Sequence, residues 1–200
     1  IGGTGGTGGP PLHGPTDSQS GARQVVDLGC GTGASLRHLA PRLGGMQHWR
    51  VFDHDDRLLQ AWPAAMDEWA RRHGHRVEAS GAALRIEGAG FCATVERHRL
   101  DLARDLDTLA LAGTDLLCAT ALIDLVSVRW FARLIGRARQ AAARLSLALV
   151  VDGRIEWDPA LEGDAGVARS FARHQGRDKG FGPALGAHAP AVAQDLDRKS

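Results

Sequence analysis

A chain of 200 residues has room for one domain with a sizeable buried core. Its apolar fraction of 44% and charged fraction of 24% are ordinary for a globular protein. A net charge of +1 lacks the basic footprint of a nucleic-acid binder or of a protein that coats anionic membranes, so neither partner is expected.

Residues 1–21 are dominated by Gly, Thr and Pro and read as a flexible leader, because they cannot bury enough apolar surface to offset their ordering entropy. The domain is expected to occupy 22–200. Residues 24–28 form a first strand, and 33–43 a helix with Leu36, Leu39, Ala40 and Leu43 on one face, stopped by Gly44-Gly45. A second strand at 49–53 ends in Asp53. Asp55 or Asp56 then opens a long helix to His73, with Leu58, Leu59, Trp62, Met66 and Trp69 as a core-packing face and a kink expected at Pro63. The alternations at 83–87 and 91–95, separated by Gly88-Ala89-Gly90, predict a β-hairpin near 81–95, inserted ahead of or extending a third strand that finishes near 99–101. Further on come a helix at 102–111, a strand at 115–119, a long helix at 122–145 and a buried strand at 145–151 with Asp152-Gly153 as its turn. An extended return at 155–157, a helix at 163–174 and a last helix at 190–198 complete the pattern. Strands alternating with helices predict an α/β fold with a doubly wound, mostly parallel sheet.

The chemistry concentrates at Val25-Val26-Asp27-Leu28-Gly29-Cys30-Gly31-Thr32-Gly33. A buried strand runs into glycines at every second position and then into a helix start. Such a turn lets a ligand approach the backbone where no Cβ intervenes. Gly29, Gly31 and Ala34 also satisfy the looser G-x-G-x-x-G/A pattern of dinucleotide-binding folds. With Asp27 two residues ahead of the first glycine, the stretch resembles motif I of the class I S-adenosylmethionine-dependent methyltransferases, Asp/Glu-x-Gly-x-Gly-x-Gly. A carboxylate at that point repels a pyrophosphate and attracts the cationic methionine end of S-adenosylmethionine.

The resemblance covers about 24–186 and implies a Rossmann-like methyltransferase fold that moves a methyl group from S-adenosylmethionine to a small-molecule acceptor. It implies that Asp27, Gly29, Cys30, Gly31 and Gly33 line the amino-acid and ribose side of the cofactor. Asp53 would bind both ribose hydroxyls, the alternative being a cap for the following helix. Asp101 and the Leu102 N–H would read the adenine edge, although Asp101 is equally suited to cap a helix. Thr120 and Ala121 would lie near the transferable methyl. Asp124 reads either as a residue that orients substrate or takes a proton at the head of the 122–145 helix, or as an ordinary N-terminal helix acid. His174, with Arg177 and Lys179 in the glycine-rich stretch 174–186, reads as a proton-transfer or anion-binding group, or as part of a plain surface loop. No Asn-Pro-Pro-Tyr or Pro-Cys motif of DNA methylases occurs.

Two further readings stay open: an NAD(P)-binding oxidoreductase, and a non-catalytic scaffold that binds S-adenosylmethionine. The family's N-terminal lid helix is not visible, and nothing after Gly186 resembles its last two strands. A C-terminal truncation with an exposed sheet edge is therefore expected. Cys30, Cys92 and Cys118 are scattered free thiols of a reducing compartment, and the nine histidines lack ligand spacing, so no metal is expected. With no membrane-length apolar run and no signal peptide, a cytoplasmic location is expected.

Overall fold

The computed structural model describes residues 21–148 and 153–198. The leader at 1–20, the end of the strand expected at 145–151 and the turn residue Asp152 lie outside them. Seven strands form one sheet: β1 (Arg23–Leu28), β2 (Gly45–Asp53), β3 (Arg76–Ser80), β4 (Ala83–Gly88), β5 (Phe91–Arg99), β6 (Leu116–Thr120) and β7 (Arg144–Ala148). Their spatial order is β3-β4-β5-β2-β1-β6-β7. From β5 to β7 every pairing is parallel, while β3, β4 and β5 form an antiparallel meander.

The period-2 alternation of the strands divides the core between two faces. Val25 of β1 and Trp49 and Val51 of β2 pack with Leu36 and Ala40 of α1 (Ala34–Leu43) and with Trp62 and Met66 of α2 (Asp56–His73). Val26 and Leu28 face the opposite way. With Leu117 and Ala119 of β6 they meet Leu102 of α3 (Leu102–Asp105) and Trp130, Phe131 and Leu134 of α4 (Val128–Gln140). Pro63 sits inside an uninterrupted α2. The carbonyl its missing N–H would leave free, that of Leu59, accepts from Arg97 Nη1 of β5 at 2.9 Å, so the strand repairs the helix.

The α/β, mostly parallel architecture agrees with the expectation, and several details differ. The hairpin near 81–95 is the inner part of a three-stranded meander. Its additional outer strand, β3, carries a mixed pattern because it is an edge. The helix expected over 102–111 closes after Asp105 into a 3-10 turn at Leu106–Thr108. The helix expected from 122 starts six residues later, capped by Ser127, whose Oγ accepts from Trp130 N at 3.3 Å. The strand after it is half-exposed rather than buried, because among the described residues β7 pairs only with β6. Residues 155–157 form no strand. The helices near 163–174 and 190–198 are α5 (Asp164–Gln175) and α6 (Ala189–Arg198). Among the described residues no strand follows β7, and the sheet reaches seven strands through the meander at its other edge.

Candidate active site

From β1 the chain steps outward to β2 and β5, then returns to place β6 on the other side of β1. The crevice at the carboxyl ends of β1 and β6 is therefore the topological switch point, where open α/β sheets hold their ligands. The glycine turn lies there. Gly29, Gly31 and Gly33 take φ of 64°, 52° and 90°, a left-handed run that explains three glycines in five residues.

The three differ in what surrounds them. A Cβ on Gly31 would meet nothing within 4 Å, so its backbone is open to a ligand. One on Gly33 would stand 2.8 Å from the Trp62 ring and 2.9 Å from Met66 Cε, so here glycine is required for packing. Trp62 also donates from Nε1 to the Gly31 carbonyl at 2.8 Å, adding a turn-fixing role to its place in the core. The first turn of α1 has neither a side-chain cap nor an acidic residue, which leaves its N–H groups available to an anionic group.

Two aspartates flank this turn with opposite solvation. Asp53, at the end of β2, is 5% exposed and accepts from Gly31 N at 2.9 Å and from Asp55 N at 3.0 Å. The cap of α2 is Asp55, which accepts from Arg57 N. The capping alternative for Asp53 is thereby overturned: its carboxylate fixes the glycine turn and keeps lone pairs for hydroxyl donors. Asp27 is 0% exposed, and neither of its oxygens has a hydrogen-bond partner. Burial pushes its pKa up to about 7; the Asp53 charge adds to the rise, and the nearby Ser35 hydroxyl opposes it. That hydroxyl has its own partner, Thr120, at 3.0 Å between the two oxygens. Ser35 and Thr120 thus tie the head of α1 to the end of β6, a link no sequence signal announced. Cys30 and Cys118 are buried beside Asp27, and burial holds both thiols far above their ordinary range.

The remaining predicted residues sort clearly. Asp101 caps α3 by accepting from Ala103 N at 3.0 Å, and the Leu102 carbonyl receives Trp130 Nε1 at 2.7 Å. Ala121 adopts φ 54° directly after β6 and donates to Ala148 O at 2.9 Å. Asp124 does not head a helix, contrary to expectation. It lies in the turn closed by Leu125 N and Leu122 O, ahead of α4, whose cap is Ser127. Leu122 of that turn stands 3.7 Å from the Cβ position of Gly29, so the turn overhangs the glycine loop. His174 is exposed, its Nε2 3.2 Å from Lys179 Nζ. No hydrogen bond or ion pair among the described residues links it to the glycine turn.

No family model and no curated protein matches the chain. It is similar to several solved structures. One is an arsenic(III) S-adenosylmethionine methyltransferase from Chlamydomonas reinhardtii, at 16% identity over 87% of this chain and 51% of that one, with a TM-score of 0.49. Another is the bifunctional kinase-methyltransferase WbdD, at 16% identity over 68% of this chain and 26% of that one, with a TM-score of 0.43. A third is the plantazolicin methyltransferase BamL in complex with a triazolic desmethylPZN analog and SAH, at 11% identity over 88% and 55%, with a TM-score of 0.41. This chain spans about half the length of the first and third and about a quarter of the second. A shared fold by itself assigns no residue a role.

Proposed function

We propose that the chain binds S-adenosylmethionine at the β1–β6 switch point and is a class I methyltransferase. The observation that supports this most strongly is Asp27: a fully buried carboxylate with two unpartnered oxygens, beside an open glycine turn and an uncapped helix start. A zwitterionic amino acid answers both features, with its ammonium against Asp27 and its carboxylate at the first turn of α1. Asp53 fits the ribose diol, since a carboxylate already oriented by two N–H groups can accept two hydroxyls. Asp101, the Leu102 backbone, Thr120 and Ala121 complete the reading as adenine-side and methyl-side residues. Among these, Asp101 is held by its capping bond and Thr120 by Ser35.

The cofactor, when bound, supplies a methyl group on a good leaving sulfonium, so the protein's task is to orient the two reactants and exclude water. Gly31 and Asp53 orient the nucleoside, and Asp27 anchors the amino acid. The turn holding Asp124 borders the methyl side. A small-molecule acceptor, a cytoplasmic setting and the absence of nucleic-acid and membrane partners belong to the same proposal; no helix among the described residues is long and apolar enough to cross a membrane.

Calorimetric titration with S-adenosylhomocysteine, against NAD(H) and NADP(H), tests the reading. Binding of S-adenosylhomocysteine alone is expected, weakened by about tenfold or more in Asp53→Ala, the order of a lost charge-assisted hydrogen bond. Binding of a nicotinamide nucleotide instead would establish the oxidoreductase reading. Cofactor binding without turnover of any acceptor would leave the scaffold reading in its place.

A further inference from the structure

Asp27, Cys118 and Thr120 stand on the face of the sheet that α1 covers. Asp27 is aligned with Cys118 in the β1–β6 pairing, and Thr120 follows two residues on. Ser35, in the first turn of α1, reaches the same place: it is 6% exposed, and its Oγ lies 3.0 Å from Thr120 Oγ1. A serine hydroxyl has one proton to donate, so it cannot serve Thr120 and a carboxylate at once. Here it is paired with Thr120, while both Asp27 oxygens are shut off from solvent and accept nothing. The other titratable neighbours give an Asp27 charge no support. Asp53 of β2 repels it, and burial keeps the Cys30 and Cys118 thiols protonated. Among the described residues no Lys, Arg or His forms an ion pair with Asp27.

We propose that Ser35 is a two-position switch for the cofactor: its hydroxyl serves Thr120 while Asp27 is protonated, and turns to Asp27 when that carboxyl gives up its proton to receive an ammonium. A carboxylate sealed from water without a donor is a destabilising arrangement, and a neutral carboxyl is much less so. Burial accordingly holds the Asp27 proton up to about 7, and the Ser35 hydroxyl is the neighbour that opposes this. Facing an ammonium, Asp27 breaks its O–H bond and releases the proton to solvent. The resulting carboxylate then accepts from the ammonium and from Ser35. A serine makes such an exchange by turning about χ1, with no movement of the backbone. The bond it leaves joins α1 to β6, so the same turn loosens the tie across the switch-point crevice. The site is thereby gated by pH. Affinity rises about tenfold per pH unit up to about 7 and is level above it, because below that value the free protein holds a proton that must leave.

This inference rests on the methyltransferase reading, and the experiment separates the two. S-adenosylhomocysteine and 5′-deoxy-5′-methylthioadenosine, which keeps the nucleoside and lacks the amino acid, are titrated calorimetrically between about pH 5.5 and 8.5 in buffers of different ionisation enthalpy. S-adenosylhomocysteine is expected to release about one proton at the acid end and almost none at the alkaline end, and methylthioadenosine none throughout. Asp27→Asn should abolish the release and flatten the profile. Ser35→Ala removes the donor that favours the carboxylate, so the pH at which affinity levels off should rise. Thr120→Val removes the competitor for the Ser35 proton, so that pH should fall. The opposite movements are decisive, since structural damage would weaken binding without driving the two midpoints apart. Binding of S-adenosylhomocysteine without proton release, equal release by both ligands, release that survives Asp27→Asn, or midpoints that move the same way would overturn the proposal and leave the methyltransferase reading standing. No binding of S-adenosylhomocysteine at any pH would overturn that reading, and this inference with it.

Discussion

The two halves of the sheet differ in how completely they close. On the β1–β2 side, the apolar face of α2 is driven inward: Leu59, Trp62, Met66 and Trp69 are all buried. On the β7 side, α5 has no buried residue, and Val167 and Phe171 stand 58% and 46% exposed near Leu161 at 69%. Several acidic and amide side chains follow the same division. Asp53, Asp55 and Asp101 each accept backbone N–H groups, whereas Asp124 and Gln175 keep buried oxygens without donors. A closed half can hold a backbone cradle in a fixed geometry, and a half with few buried contacts has little local stability against rearrangement. Among the carboxylates of the closed half Asp27 departs from this pattern, being fully buried with neither oxygen paired.

That exception yields the largest expected effect. The folded protein holds the Asp27 proton up to about 7, whereas an unfolded chain releases it near the ordinary aspartate value. Between those two pH values the native state binds the extra proton, so stability falls as pH rises and levels off above about 7, a loss on the order of 4 kcal/mol. Asp27→Asn should flatten that slope and make the free protein more stable than the unaltered one at pH 8, as urea unfolding across pH would record. The same substitution should weaken S-adenosylhomocysteine about tenfold or more by removing the partner of its ammonium. A variant equally pH-sensitive would mean that the burial of Asp27 does not govern this half.

Gly33→Ala comes next. The new Cβ meets the Trp62 ring at 2.8 Å in a backbone conformation of φ 90°, so a loss of about 3 kcal/mol is expected from strain and overpacking together. Thermal unfolding measures it directly, and a neutral result would show that the packing of α2 against the turn is looser than the distances imply. The smallest effect sharpens the contrast from the other side: Phe171→Ser on α5 should change stability by no more than about 1 kcal/mol, because close to half of the side chain is already exposed. A large loss there would mean that α5 is covered in solution.

Residues 23–73 were largely legible in the sequence because their signals are local. A strand alternation, three glycines that require left-handed backbone and a helical stripe of Trp and Leu each act within a few positions, and β1, α1 and α2 appear where expected. Asp53 was singled out by its spacing, but its bond to Gly31 N was not legible, because that contact spans 22 positions and forms only when β1 and β2 pair. The start of α4 was misplaced for a similar reason. Residues 122–126 carry a helical apolar pattern, yet Leu122, Ile123 and Val126 are buried from a turn, and Ser127 supplies the cap.

By itself the sequence determined the element types, the glycine turn and the acidic residues beside it, since backbone sterics and hydrophobic periodicity act over one or two turns of chain. Only the tertiary structure decided that Asp27 is sealed without a partner, that Ser35 and Thr120 bridge α1 to β6, and that the Gly186 N–H reaches the Asp124 carbonyl. Those facts depend on which strands become neighbours, and solvation of a side chain is settled only by what finally packs around it.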